Sequence, residues 1–275
     1  MGELLALAAA ICFGSNHFLG ALLSRRASSS AVAVVGQVGG AVVALVVALL
    51  VAAPHVTLGP LGWGALSGLG SGIGVSYLYR GMSRGNLSVV VPLSDVAGVA
   101  LPLIVGVALL GNRPSPLAWR GIAAALPALW LITRGKDTGR MSGASDGLIA
   151  GAGFALQFIA IAQAAPAAGL WPILASRVAS TVAIALLART THASLRLPVR
   201  LVLPALGVGT LGTGAMILYT LATRQQLLAI AVVLAALYPA IPVLLGLTVL
   251  RERVSRRQVI GLIAAGAAIA LIAAG

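Results

Sequence analysis

This chain of 275 residues has little charge: Asp, Glu, Lys and Arg make up 8% of it, with five acids against eighteen basic residues. A soluble domain carries roughly a quarter charged residues. With 60% apolar residues, this chain is therefore expected in a lipid bilayer. Aromatic residues are also scarce, at 4%, which argues against a cage for hydrophobic cations. The single cysteine, Cys12, excludes an intramolecular disulfide. The sequence has no HExxH, no nucleophile-triad signature and no paired-carboxylate constellation, so neither an enzyme nor a cofactor is expected. His55 and His192 fall in turns, which leaves no metal cluster. A net charge of +13 would suit nucleic acid, but the arginines stand in short turns between apolar runs and form no continuous basic face. No nucleic-acid partner is expected. The N-terminal MGELLALAAA lacks a positive leading region and runs straight into an apolar stretch, so no cleavable signal peptide is expected.

What is there is apolar sequence in repeated blocks. A membrane-spanning helix needs ~20 mostly apolar residues, and ten such stretches can be read: 4–23, 31–53, 60–79, 87–110, 117–134, 146–164, 169–188, 200–222, 226–250 and 258–274. Moving the sequence by 140 positions lays the second five on the first five. Pro102 falls on Pro242, Gly106 on Gly246, Arg113 on Arg253, Ser115 on Ser255, Gly121 on Gly261 and Tyr79 on Tyr219. An internal repeat of this kind organises the whole chain. Because five is odd, the second copy starts on the opposite side of the membrane, which predicts an all-α membrane protein of ten transmembrane helices in two inverted five-helix repeats.

The basic residues agree. The turns after spans one, three, five, seven and nine hold fourteen of the eighteen Lys/Arg residues, while the other turns hold Arg113, Arg120 and Arg224. The positive-inside rule makes the rich side cytoplasmic, with both termini outside. Glycines cluster in spans three and eight (Gly68, Gly70, Gly72, Gly74; Gly207, Gly209, Gly212, Gly214), where four-residue spacing lets helices approach closely in lipid. Packing is the favoured role; they make no phosphate loop.

The paired units ALPLIVGVALLGNRPSPLAWRGI and AIPVLLGLTVLRERVSRRQVIGL each have a proline-bearing helix, a turn of the G-E-R-x-S type and a glycine early in the next helix. In this the chain resembles the drug/metabolite transporter superfamily in its EamA-like ten-helix form. Residues 1–140 resemble the first five-helix repeat and 141–275 the second. The turn's usual Glu is kept as Glu252 but replaced by Asn112 in the first copy, so no paired role carries over. Members of the family commonly have both termini inside, against the charge count here. The resemblance implies a secondary transporter of small metabolites, often an exporter, with alternating access around a central cavity in the inner membrane.

Ionisable groups deep in a span are functional candidates. Asp95 lies eight residues into span four, ~12 Å deep at ~1.5 Å per residue, where a carboxyl group is costly to ionise and suits a proton carrier. The alternative is a structural aspartate bonded to Ser94 or to a neighbouring helix. Arg177 lies mid-span in span seven and needs a carboxylate partner, either Asp95 or a substrate; Gln37 is its repeat equivalent. His17, beside Asn16, has an ordinary pKa of ~6.5 and is a second proton-coupling candidate, with Gln157 its equivalent; a hydrogen-bonded structural histidine is the slightly favoured alternative. Tyr77, Tyr79, Tyr219 and Tyr238 offer aromatic walls with hydroxyl handles. Pro92, Pro102, Pro239 and Pro242 predict kinks in spans four and nine, either gating pivots or fixed bends.

Together these predict a proton-coupled exporter of small polar metabolites such as amino acids, with the lipid bilayer, a small-molecule substrate and protons as partners. The rival readings are a hydrophobic-cation or multidrug exporter using Asp95 alone, and a membrane scaffold without transport.

Overall fold

The computed structural model describes residues 2–85, 87–110, 115–133, 143–225, 238, 240–251 and 254–274. Among these the chain forms ten α-helices and no strand: α1 Gly2–Ser24, α2 Ser29–Leu50, α3 Leu58–Arg84, α4 Leu87–Leu110, α5 Pro116–Thr133, α6 Ala144–Ala162, α7 Trp171–Thr190, α8 Val199–Gln225, α9 Ala240–Thr248 and α10 Arg256–Ala274. One 3-10 turn, Pro166–Ala168, links α6 to α7. Lipid offers backbone groups no partners, so an apolar stretch closes its hydrogen bonds internally as a helix. Among the described residues, five helices are long and apolar enough to cross a membrane, lying within α1, α2, α6, α7 and α8. The chain is a multi-pass membrane protein.

Local chemistry sets the helix ends. Before α10, the backbone N–H of Ser255 donates to Gln258 Oε1 at 2.8 Å and the N–H of Gln258 returns to Ser255 Oγ at 3.3 Å, the reciprocal capping box of a helix start. Ser115, the equivalent serine 140 positions earlier, accepts from the N–H of Leu117 at 3.1 Å before α5. The serine of the repeated turn motif is thus a helix cap in both places. α2 ends at Leu50, earlier than the 53 expected, and α3 runs on to Arg84, past the expected 79. Of the ninth stretch, 226–237 lies outside the described residues.

The helices pack in reciprocal pairs. α3 packs on α6 and α7, and its 140-offset counterpart α8 packs on α1 and α2; α5 packs on α10, and α2 on α7. Glycines make the close approaches possible. Gly64, Gly68 and Gly72 meet Pro172, Ser176 and Ala183 of α7, while Gly70 and Gly74 face Gly153 and Phe154 of α6. On α8, a Cβ at Gly209 would fall on the Gly36 carbonyl of α2.

The largest core cluster brings Leu23, Met82, Leu87, Val90 and Leu201 together, with Ala27, Leu197 and Leu250 packed against it. The turns after α1, α3, α7 and α9 therefore share one end of the bundle. At the other end the N–H of His55 reaches the carbonyl of Ala167, Ala48 packs with Leu170 and Met216, and Ala6 packs with Ala222. Arg25, Arg26, Arg84, Arg189, Arg196, Arg200, Arg251, Arg256 and Arg257 are all in turns or helix ends of the first set.

Candidate functional site

Asp95 is 2% exposed on α4. Its neighbour Ser94 donates its hydroxyl to the Val91 carbonyl at 2.8 Å, one turn back along the same helix. Asp95 Oδ1 accepts a hydrogen bond from the hydroxyl of Tyr238, 143 residues away. Asp95 Oδ2 is buried with no hydrogen-bond partner. His17 of α1 completes the group: its ring stands edge-on to Tyr238 with centroids 5.4 Å apart and stacks on Phe154 of α6 at 6.2 Å. Phe13, one turn before His17, lies 5.8 Å from the Tyr238 ring. His17 Nδ1 is likewise buried without a partner. The spacing of Phe13 and His17 on one helix face thus presents an aromatic shelf to a buried carboxyl group, and two unpartnered polar atoms remain there.

A second group lies between α1, α2, α3 and α7. Arg177 donates from Nη1 to Gln37 Oε1 at 3.0 Å, so the two repeat-equivalent residues bond to each other. The Tyr79 hydroxyl donates to Asn16 Oδ1 at 3.4 Å. Arg177 Nε is buried without a partner. Asp95 and Arg177 therefore form no lock: the carboxyl group is held by a phenol and the guanidinium by a neutral amide.

The remaining candidates divide. Gln157 is buried on α6 against Gly70 of α3. Tyr219 is only partly buried, unlike its equivalent Tyr79. α4 stays helical through Pro92 and Pro102. Pro242 is the third residue of α9, where a proline opens a helix without losing an internal hydrogen bond. Pro239 lies outside the described residues.

One pair escaped the sequence reading. Asp146, expected at a helix end, is 3% exposed in the first turn of α6 and takes Arg80 Nη2 at 2.6 Å and Nε at 3.2 Å. Arg80 also stacks over the Tyr77 ring at 4.3 Å. The hydrogen-bonded carboxylate raises the guanidinium above its already high pKa, so Arg80 stays charged. Arg25 reaches the Met82 carbonyl nearby at 3.3 Å. The 140-offset equivalents of Arg80 and Asp146 are Thr220 and Ala6, so only a pairwise reading of facing helices could have found this contact.

Residues 1–134 match the EamA-like transporter family. That match, over just under half of the chain, agrees with the resemblance to the drug/metabolite transporter superfamily. No curated protein matches the chain in sequence. Among nine matching solved chains, one crystal structure has a TM-score of 0.59 at 16% identity, covering 98% of this chain and 96% of that one. At that identity the likeness shows the fold alone.

Proposed function

We propose that this EamA-like protein is a secondary active exporter of small polar metabolites, amino acids first among them, working by alternating access and coupled to protons. Its ten helical stretches act as ten spans in two inverted repeats, 1–140 and 141–275; the reciprocal packing of α3 on α6 and α8 on α1 supports this reading. The arginine-rich end faces the cytoplasm of a cell with an inner membrane. Sites of inverted-repeat transporters lie near the midplane between the repeats.

The observation that carries the proposal is the Asp95–Tyr238 bond. It joins α4 of the first repeat to Tyr238, two residues before α9 of the second, so rocking of one repeat against the other makes or breaks it. With the bond made and water excluded, burying a bare carboxylate with a single hydroxyl donor is costly. With the bond broken toward water, the carboxyl group exchanges its proton with that side. His17, whose ring touches Tyr238, is the second group able to relay that proton. Pro92, Pro102, Pro239 and Pro242 are the pivots, and Asn16, Gln37, Tyr79, Gln157, Tyr219 and Arg177 line the substrate path.

Proteoliposomes loaded with a pH dye and challenged with amino acids, organic cations and organic acids test this. A saturable pH change that disappears in Asp95→Asn is expected. Equal proton flux in wild type and Asp95→Asn would sink the carrier role.

A further inference from the structure

A buried guanidinium ordinarily meets a carboxylate, because it cannot shed its charge and a neutral partner does not cancel it. Arg177 meets none among the described residues: its one hydrogen bond goes to Gln37 Oε1, and Nε is left buried and unused. A second orphan lies beside it. Thr213 of α8 is fully buried, and its Oγ1 has no hydrogen-bond partner. Both groups converge on Gly40 of α2, where a Cβ would lie 2.5 Å from Thr213 Oγ1 and 3.4 Å from Arg177 Cδ. The lack of a side chain at Gly40 lets the Thr213 hydroxyl and the Arg177 stem pack directly against α2.

We propose that Arg177, Thr213 and the Gln37 amide form a subsite for one carboxylate of the transported molecule. Two oxygens of a planar carboxylate match the side-on edge of a guanidinium, Nε–H with one Nη–H, as a bidentate pair. The Thr213 hydroxyl supplies a third donor. The Gln37 carbonyl already accepts from Nη1, which turns its own amide N–H group into a fourth donor beside the site. One fixed positive charge balances one carboxylate, whereas a phosphate dianion calls for a second cation, and none of the described residues brings one to Arg177. The inference rests on the transport reading and sharpens it: the substrate class is a small monocarboxylate, with the Asp95 group free to serve protons or an ammonium end.

The test separates the two readings. Purified protein is titrated with glycine, alanine and acetate, and with glycinamide, alaninamide and acetamide, following thermal stabilisation; the same compounds then compete for proton flux in proteoliposomes. Acids are expected to stabilise and compete at least tenfold better than the matching amides. Arg177→Gln should erase that preference, and Thr213→Val, which keeps the side-chain shape, should weaken acid binding several-fold without altering amide binding. Amides that match the acids in wild type, or a preference that survives Arg177→Gln in correctly folded protein, overturn the subsite. Acid-selective stabilisation without any flux would uphold the subsite and refute transport. Flux without acid preference would do the reverse.

Discussion

Single residues carry the chemistry, and they differ in how plainly the sequence announces them. Asp95 and Arg177 stand out because an ionisable group inside an apolar run is conspicuous. Their partners are less plain: the 140-residue offset pairs Gln37 with Arg177 without announcing a bond between them, and nothing in the run around Asp95 points to Tyr238, 143 residues away. Asp146 was hidden for a different reason, since a carboxylate in a first helical turn reads as solvated there. Its burial makes a firm prediction. Arg80→Ala leaves Asp146 uncompensated in a dry site, and because Arg80 is itself a third exposed the loss is put at about 2 kcal/mol, below the range for fully buried pairs. Thermal unfolding in detergent measures it, and the double variant Arg80→Ala with Asp146→Ala should recover part of the loss. Tyr238→Phe removes the donor to Asp95 at a cost of ~1 kcal/mol. Its larger effect is expected on the pH profile of transport, which should move while substrate KM changes little.

Among the helices, existence was easier to read than ends. A run of ~20 apolar residues has one way to satisfy its backbone in lipid, so among the described residues the stretches expected from composition correspond to helices. Their limits depend on partners outside the run: α3 continues past residue 79 because Arg80 has Asp146 to meet, and α10 starts where Ser255 and Gln258 cap each other. Ser255→Ala should cost ~1 kcal/mol by exposing that first turn, read as a lower unfolding midpoint. Glycine spacing foretold close helix contacts but not which glycines make them. Gly209→Leu drives a side chain into the Gly36 carbonyl and should abolish folded protein on gel filtration, whereas Gly207→Ala, with nothing within 4 Å of its Cβ position, should behave as wild type.

At the scale of the molecule, the arginine count and the packing describe the same two ends. The turns that share the Leu23–Met82–Leu201 cluster are the basic ones, and those near His55 and Ala167 are not. With Cys12 replaced by serine, a membrane-impermeant maleimide on intact cells should label His55→Cys and spare Arg26→Cys; the opposite pattern would place both termini inside. The Gln37–Arg177 contact has a consequence for the chain's history. Two identical copies of a half-length ancestor, related by a two-fold axis, would set position 37 against itself. Two glutamines there form a self-complementary amide pair, while two arginines repel in a poorly hydrated site. On the proposed inverted-repeat reading, a fixed charge at this place is therefore tolerated only in a chain whose two copies differ there, as Gln37 and Arg177 do.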